Sequence, residues 1–243
     1  MEWREQGVLL SVRPHGETAA IIEVLTEARG RHAGIVRGGN GRRIKPILQP
    51  GAQLDLTWRA RLEDHLGSFT AEPVFARAAL MSDRLALAGL SAATALIRLA
   101  WAERQAHPAL YRDTEALLDR MEVGDEWLAY YVGWELHLLS TLGFGLDLRA
   151  CAVTGATEEL IYVSPKSGRA VGAVAGADWS DRLLPLPAFL RPEVSEAPIT
   201  AQDLRDGLRT SGYFLTHWLF PALNKSGPPP ARDRLLRAVN KLS

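Results

Sequence analysis

Six cations stand between Arg29 and Lys45 with no acid among them: Arg29, Arg31, Arg37, Arg42, Arg43 and Lys45. A glycine-rich turn, Arg37-Gly38-Gly39-Asn40-Gly41-Arg42-Arg43, lies inside this segment, and strand-like runs flank it. Guanidinium and ammonium groups gathered on a bendable loop can neutralise phosphates of a nucleic-acid backbone. The same composition also suits a solvated hairpin tip, and a basic cluster alone does not separate the two readings. A second cationic set, Arg232, Arg234, Arg237 and Lys241, occupies the last helix-like segment, where Asp233 is the only acid. It extends a DNA track or meets an acidic partner.

Covalent chemistry finds little support. No G-x-x-x-x-G-K-[ST] or G-x-G-x-x-G phosphate loop is present, and no G-x-S-x-G elbow. The six histidines are scattered, with no H-E-x-x-H pair. Glu135 and His137 are two apart, which on a helix points them in different directions. The single cysteine, Cys151, has no evident activating partner. It excludes an internal disulfide and an all-cysteine metal site within one chain. Trp3, Trp58 and Phe69 fall among the strands and are the candidate base-stacking residues. Trp58 alternates with polar neighbours and reads better as core.

The chain has 243 residues, 47% of them hydrophobic, and a formal net charge of +0. It is long enough for two domains or three small ones. Neutrality argues against wholesale coating of nucleic acid, so any binding rests on a local patch. The charged opening Met1-Glu2-Trp3-Arg4-Glu5 is unlike a signal peptide. The apolar run Leu85–Trp101 carries Arg98 and is short for a membrane span, so it reads as a buried helix. A cytoplasmic location is the expectation.

Five runs in the first 75 residues read as strands: Gly7–Arg13, Ala19–Leu25, Arg31–Arg37, Gly51–Trp58 and Gly67–Ala71. Short strands punctuated by Gly and Pro predict a small closed barrel, and a five-stranded barrel with a basic loop fits an OB-fold. From Ala76 the pattern is helical: Ala76–Ala102 with Ser82 as cap, Asp113–Met121, and Asp125–Leu142 ending at Gly143. Two short strands, Leu160–Val163 and Ala170–Val174, follow. The proline-rich stretch Leu184–Pro198 reads as an irregular connection. Helix resumes at Thr200, where Asp203 completes a capping-box pattern, and a last helix follows Pro228-Pro229-Pro230. The expected class is α+β: an OB domain (1–77), a helical domain (78–148), a small β insert (149–198) and C-terminal helices completing the helical domain (199–243).

Several separated segments resemble, in order, the RecO family of bacterial DNA repair proteins. They are Gly7-Val8-Leu9-Leu10, the turn Leu25–Arg37, Leu48-Gln49-Pro50-Gly51, Leu142-Gly143-Phe144-Gly145-Leu146-Asp147-Leu148, Cys151-Ala152-Val153-Thr154-Gly155, and Tyr162–Val171. The resemblance covers essentially the whole chain. It implies an N-terminal OB domain, a helical domain and a zinc-ribbon-like insert. It also implies binding of single- and double-stranded DNA, annealing of complementary strands, and no nucleotide hydrolysis. The implied partners are RecR and the acidic tail of single-stranded-DNA-binding protein (SSB), in support of RecA loading. The implied tail site is apolar and basic, with Arg98, Arg104, Arg112 and Arg120 as possible contributors. A pure protein adaptor with negligible DNA affinity is the alternative.

One family pattern is broken. Zinc-containing members place two close cysteine pairs around the insert. Here Cys151 holds the first position, while Thr154, Gly172 and Ala175 stand at the others. Structural zinc needs four nitrogen or sulfur ligands. No metal and no cofactor are therefore expected, and the insert should be held by Leu160, Ile161, Tyr162, Val163, Val171 and Val174.

Overall fold

The computed structural model describes residues 1–124, 126–192 and 197–242. Asp125, the expected first residue of the third helix, and 193–196 of the proline-rich stretch lie outside the described residues. The protein is α+β, and its chain divides into two compact units, Met1–Asp125 and Glu126–Ser243.

The first unit is built on a closed five-stranded barrel: β1 (Glu2–His15), β2 (Ala19–Thr26), β3 (Gly30–Val36), β4 (Gln53–Arg59) and β5 (Ser68–Phe75), ordered β1-β2-β3-β5-β4. Closure depends on the length of β1. Residues 2–8 pair antiparallel with β4, residues 7–15 pair with β2, and a bulge between Leu9 and Ser11 bends the strand between the two. The ring closes where β3 meets β5 in parallel at Ile35–Ser68 and Val36–Phe69. Alternation sets the core. In β3, His32, Gly34 and Val36 point inward, while Arg31, Ala33 and Ile35 are half-exposed. Leu9, Ile22, Val24, Leu54, Leu56 and Trp58 fill the interior. All five predicted strands are present, and Trp58, 1% exposed, is core as its alternation indicated.

His32 is the unusual core member. It is 4% exposed, and neither ring nitrogen has a hydrogen-bond partner. Burial, reinforced by the Arg104 and Arg29 charges, pulls its pKa from 6.5 to about 4. The folded state therefore holds the neutral ring, and the unfolded state binds more protons below pH 6.5. Stability supplied by the neutral ring is complete above pH 6.5 and is lost as pH falls toward 4. A His32→Phe variant should show a shallower loss of thermal stability over that window than the parent, as measured by melting at a series of pH values.

Two helices complete the unit. α1 (Arg84–Ala100) starts at Asp83, whose carboxylate accepts from the amides of Leu85 and Ala86. Asp83, not the expected Ser82, is the cap, and Ser82 donates its hydroxyl to Ala79 O. α2 (Pro108–Val123) begins one residue after His107, whose Nδ1 accepts from the Leu110 amide. Arg77, 4% exposed, ties the barrel to α2 by donating to Gly51 O and Asp119. α1 and α2 lie in the compact unit that contains the barrel.

The second unit contains α3 (Trp127–Thr141), a three-stranded sheet, α4 (Ala201–Phe214) and α5 (Pro230–Val239). The Thr200–Asp203 capping box starts α4 as predicted. A π turn at Leu215–Leu219 and a helical turn at Phe220–Ala222 carry the chain onward from α4. The sheet, β6 (Leu160–Val163), β7 (Ala170–Gly172) and β8 (Leu184–Pro185), has the order β7-β6-β8. Its buried residues are Leu160, Val163, Ala170, Val171 and Leu184. Val174 is not among them. The chain turns into a helical turn at Ala173–Gly176, leaving Val174 86% exposed. Among the described residues no helix is long and apolar enough to cross a membrane.

Candidate nucleic-acid interface

Between β3 and β4 the chain forms a compact basic loop. Successive turns run from Gly38 to Gly51. Ile44 and Ile47 are half-buried against the barrel core, and Leu48 is buried in it. Asn40 secures the tip: its amide nitrogen donates to Ala19 O, and its backbone N–H donates to Thr18 O. Asn40 therefore serves the loop itself. Gly39 is needed for the same contact, since a Cβ there would lie 2.7 Å from the Ala20 side chain. The anchored backbone holds Arg37, Arg42, Arg43 and Lys45 outward, all exposed. Among the described residues these four side chains make no ion pair or hydrogen bond.

Beside the loop, a groove of about 420 Å³ runs over the β3–β5 seam. Arg37 and Ile44 line one side, and Arg59, Ser68 and Thr70 line the other. Arg59 was not singled out from sequence. It ends the alternating run of β4, opposite Ser68, and that register carries it into the groove. Its guanidinium is 65% exposed and donates to Glu2 at 2.8 Å. Such exposed pairs contribute little, so a phosphate can compete for Arg59 at small cost. Phe69 reaches the groove but is 4% exposed. The groove offers charge and hydrogen bonds and lacks a stacking platform.

The other predicted cations have different places. Arg29 and Arg37 lie just beyond opposite ends of β3, which spans roughly 20 Å at a strand's rise per residue. Arg29 is exposed and, among the described residues, makes no ion pair. Arg31 is a correction. Its guanidinium pairs with Glu23 at 3.0 Å and Glu103 at 3.4 Å, and donates to Trp101 O. With 14% of its side chain exposed, it holds the segment after α1 to the barrel, and its Nε and Nη1 are committed there. Arg98 shares Glu23, and Arg112 pairs with Glu27.

In the second unit Arg234 and Arg237 are exposed on α5, but Arg232 is not. Arg232 is a second correction. It is 3% exposed, and Nε and Nη2 donate to the two carboxylate oxygens of Glu135 at 2.7 and 2.8 Å. Nη2 also donates to Leu208 O, and Ser211 Oγ donates to Glu135 at 2.6 Å. Burial alone would lower the Arg232 pKa; the Glu135 charge and hydrogen bonds outweigh it and raise it. Gly212 makes room, because a Cβ there would sit 2.7 Å from the guanidinium. Sequence carried a usable signal. Arg232 precedes Leu235 by three and Val239 by seven, which puts it on the apolar stripe of α5.

Two of the other zinc-ligand positions, Thr154 and Gly172, lie beside Cys151. The Gly172 amide donates to Cys151 Sγ at 3.3 Å, and a Cβ on Gly172 would lie 3.8 Å from that sulfur. Burial raises the Cys151 pKa, but hydrogen bonds from the Thr154 hydroxyl and nearby amides prevail and bring it to about 7. The residues present do not fit zinc: one thiol is available, and the other three positions hold a threonine, a glycine and an alanine. Among the described residues no group of three His, Cys, Asp or Glu side chains could hold a metal ion.

Comparison with known proteins supplies the family. Residues 1–77 match the family model for the N-terminal domain of recombination protein O, and residues 81–227 match the model for its C-terminal domain. The chain is 57% identical to the DNA repair protein RecO of Roseobacter denitrificans and 53% identical to that of Dinoroseobacter shibae, over 99% of each chain. It is 49% identical to the RecO of a Jannaschia species over 99% of this chain and 97% of the relative. With both halves matched in order and the barrel present in full, the chain belongs to the RecO family of DNA repair and recombination proteins.

Proposed function

We propose that the chain binds single- and double-stranded DNA through the basic loop and its groove, and anneals complementary strands. In this reading it works in recombinational repair with RecR and helps RecA load onto SSB-coated DNA. The observation that carries the reading is the set of exposed, unpaired cations (Arg37, Arg42, Arg43, Lys45) held on an anchored loop in a chain of zero net charge. Phosphate contacts release counterions and screen the repulsion between two strands. Because the groove lacks a stacking surface, base edges stay free to pair with the incoming strand. Arg234 and Arg237 would add phosphate contacts from the second unit.

The acidic SSB tail fits a groove of about 450 Å³ between α4 and α5. Arg205, Arg209, Tyr213 and Leu236 line it, combining positive charge with apolar surface. This groove also favours the adaptor reading, in which tail docking is the main activity. The two readings separate in a fluorescence titration. A labelled single strand should bind with micromolar or tighter affinity that weakens steeply with salt. Tight binding of an acidic tail peptide with no DNA binding at low salt would select the adaptor.

A further inference from the structure

The groove leaves bases unread, but a second concavity in the barrel is built differently. A pocket of about 370 Å³ opens at the barrel mouth beside the first residues of the chain. Trp3, His32 and Trp58 form its walls, with Arg29, Arg104 and Glu63 also lining it. Trp3 is half-buried and stacks on Trp58 with ring centroids 5.9 Å apart. His32 meets both indoles edge-on, at 5.1 and 4.8 Å. Trp58 is committed, since its Nε1 donates to Leu66 O. Three polar atoms here are buried without partners: Nδ1 and Nε2 of His32, and Nε of Arg104. Leaving such groups unpaired is costly and rare in folded proteins.

These orphans describe a ligand. Neutral imidazole offers one N–H donor and one acceptor nitrogen, and Arg104 Nε adds a donor. The complement is a flat, uncharged group with donors and acceptors along one edge and apolar faces. A nucleobase has that form. Arg29, exposed and without an ion pair among the described residues, lines the mouth where it can meet the attached phosphate. The carboxylates of Glu2 and Glu63 also line the mouth, so the group held within it is an uncharged one. The two concavities are neighbours: Arg59 lines the groove, Glu2 lines the mouth, and the two are bonded.

We propose that the barrel mouth takes one nucleobase of a bound single strand, stacked on Trp3, with its hydrogen-bonding edge on His32 and its phosphate at Arg29. The proposal rests on DNA binding by the chain and adds a base contact to it. Such a contact would let a strand be held at one point while its other bases remain free to pair.

The full chain is titrated with oligothymidylate and with a strand of equal length whose sugars carry no base. The parent should prefer the base-bearing strand by about tenfold, the usual scale for one stacked base. His32→Phe keeps the ring and removes both nitrogens, and Trp3→Ala removes the stacking face. Each should bring the preference close to one while affinity for the abasic strand holds. Arg42→Glu with Arg43→Glu should weaken both strands equally. A preference that persists in both mouth variants overturns the proposal. If neither strand binds the parent, the DNA reading fails, and thymidine 5′-monophosphate tests the pocket separately through the His32 imidazole nitrogen resonances. A shift on nucleotide addition supports the mouth as a base site. No shift, or a shift only with an acidic peptide, refutes it.

Discussion

Reversing two charges with Arg42→Glu and Arg43→Glu should abolish strand annealing while leaving the melting temperature unchanged. Both side chains are exposed and make no bond that folding needs. Their replacement changes the loop by four units of charge where phosphates would lie. At about 1 kcal/mol per contact charge in water, the double reversal should weaken binding by about 2–4 kcal/mol, or roughly 30- to 1,000-fold. Annealing requires two strands held at once, so it should suffer more than single-strand binding. Strand annealing followed by fluorescence quenching, alongside a thermal melt, measures both. The loop has its own scaffold in Asn40, Ile44 and Leu48, which is why a charge change at its surface need not disturb the barrel.

The opposite outcome is expected at Arg232. Truncation to alanine leaves Glu135, 0% exposed, as an uncompensated carboxylate inside the second unit. Breaking a buried pair on one side costs about 3–5 kcal/mol, which is a large share of a domain's stability. Tyr131 stays neutral beside that carboxylate, because burial and the nearby Glu135 charge hold its phenol pKa well above 10, so it adds no second negative charge. Chemical denaturation should show the loss as a lower midpoint. Glu135→Met combined with Arg232→Met should recover most of it, because replacing both partners removes the desolvation cost along with the attraction. Arg234→Ala and Arg237→Ala, at exposed positions of the same helix, should stay within about 0.5 kcal/mol of the parent. A pattern of this kind assigns Arg232 to folding and leaves its two neighbours as candidates for phosphate contact.

Local regularities made much of the fold legible. Alternation and Gly/Pro punctuation located all five barrel strands, and Thr200 with Asp203 marked the start of α4. What sequence left open was the long-range fate of each cation. Arg31 and Arg37 look alike in a run of basic residues. One is consumed by Glu103, far along the chain, and the other is left to solvent. Arg232 finds Glu135 at a separation of 97 residues. No local pattern names that partner, although an acid inside apolar α3 and a base on the apolar stripe of α5 were each out of place. Arg59 escaped notice because a single strand-end arginine has no motif, and only the pairing of β4 with β5 brings it beside Arg37. The insert shows the same limit. Val174 looks like a strand residue until the chain turns at Ala173 and exposes it.

The central claim is that the loop cations work by neutralising phosphates, and its most direct test is the salt dependence of single-strand affinity. The logarithm of the binding constant should fall linearly with the logarithm of salt concentration, with a slope of about −0.7 for each phosphate neutralised. Arg42→Ala with Arg43→Ala should flatten that slope by about 1.4, the share of two contacts. An identical slope in parent and double variant, or an affinity indifferent to salt, would contradict the account.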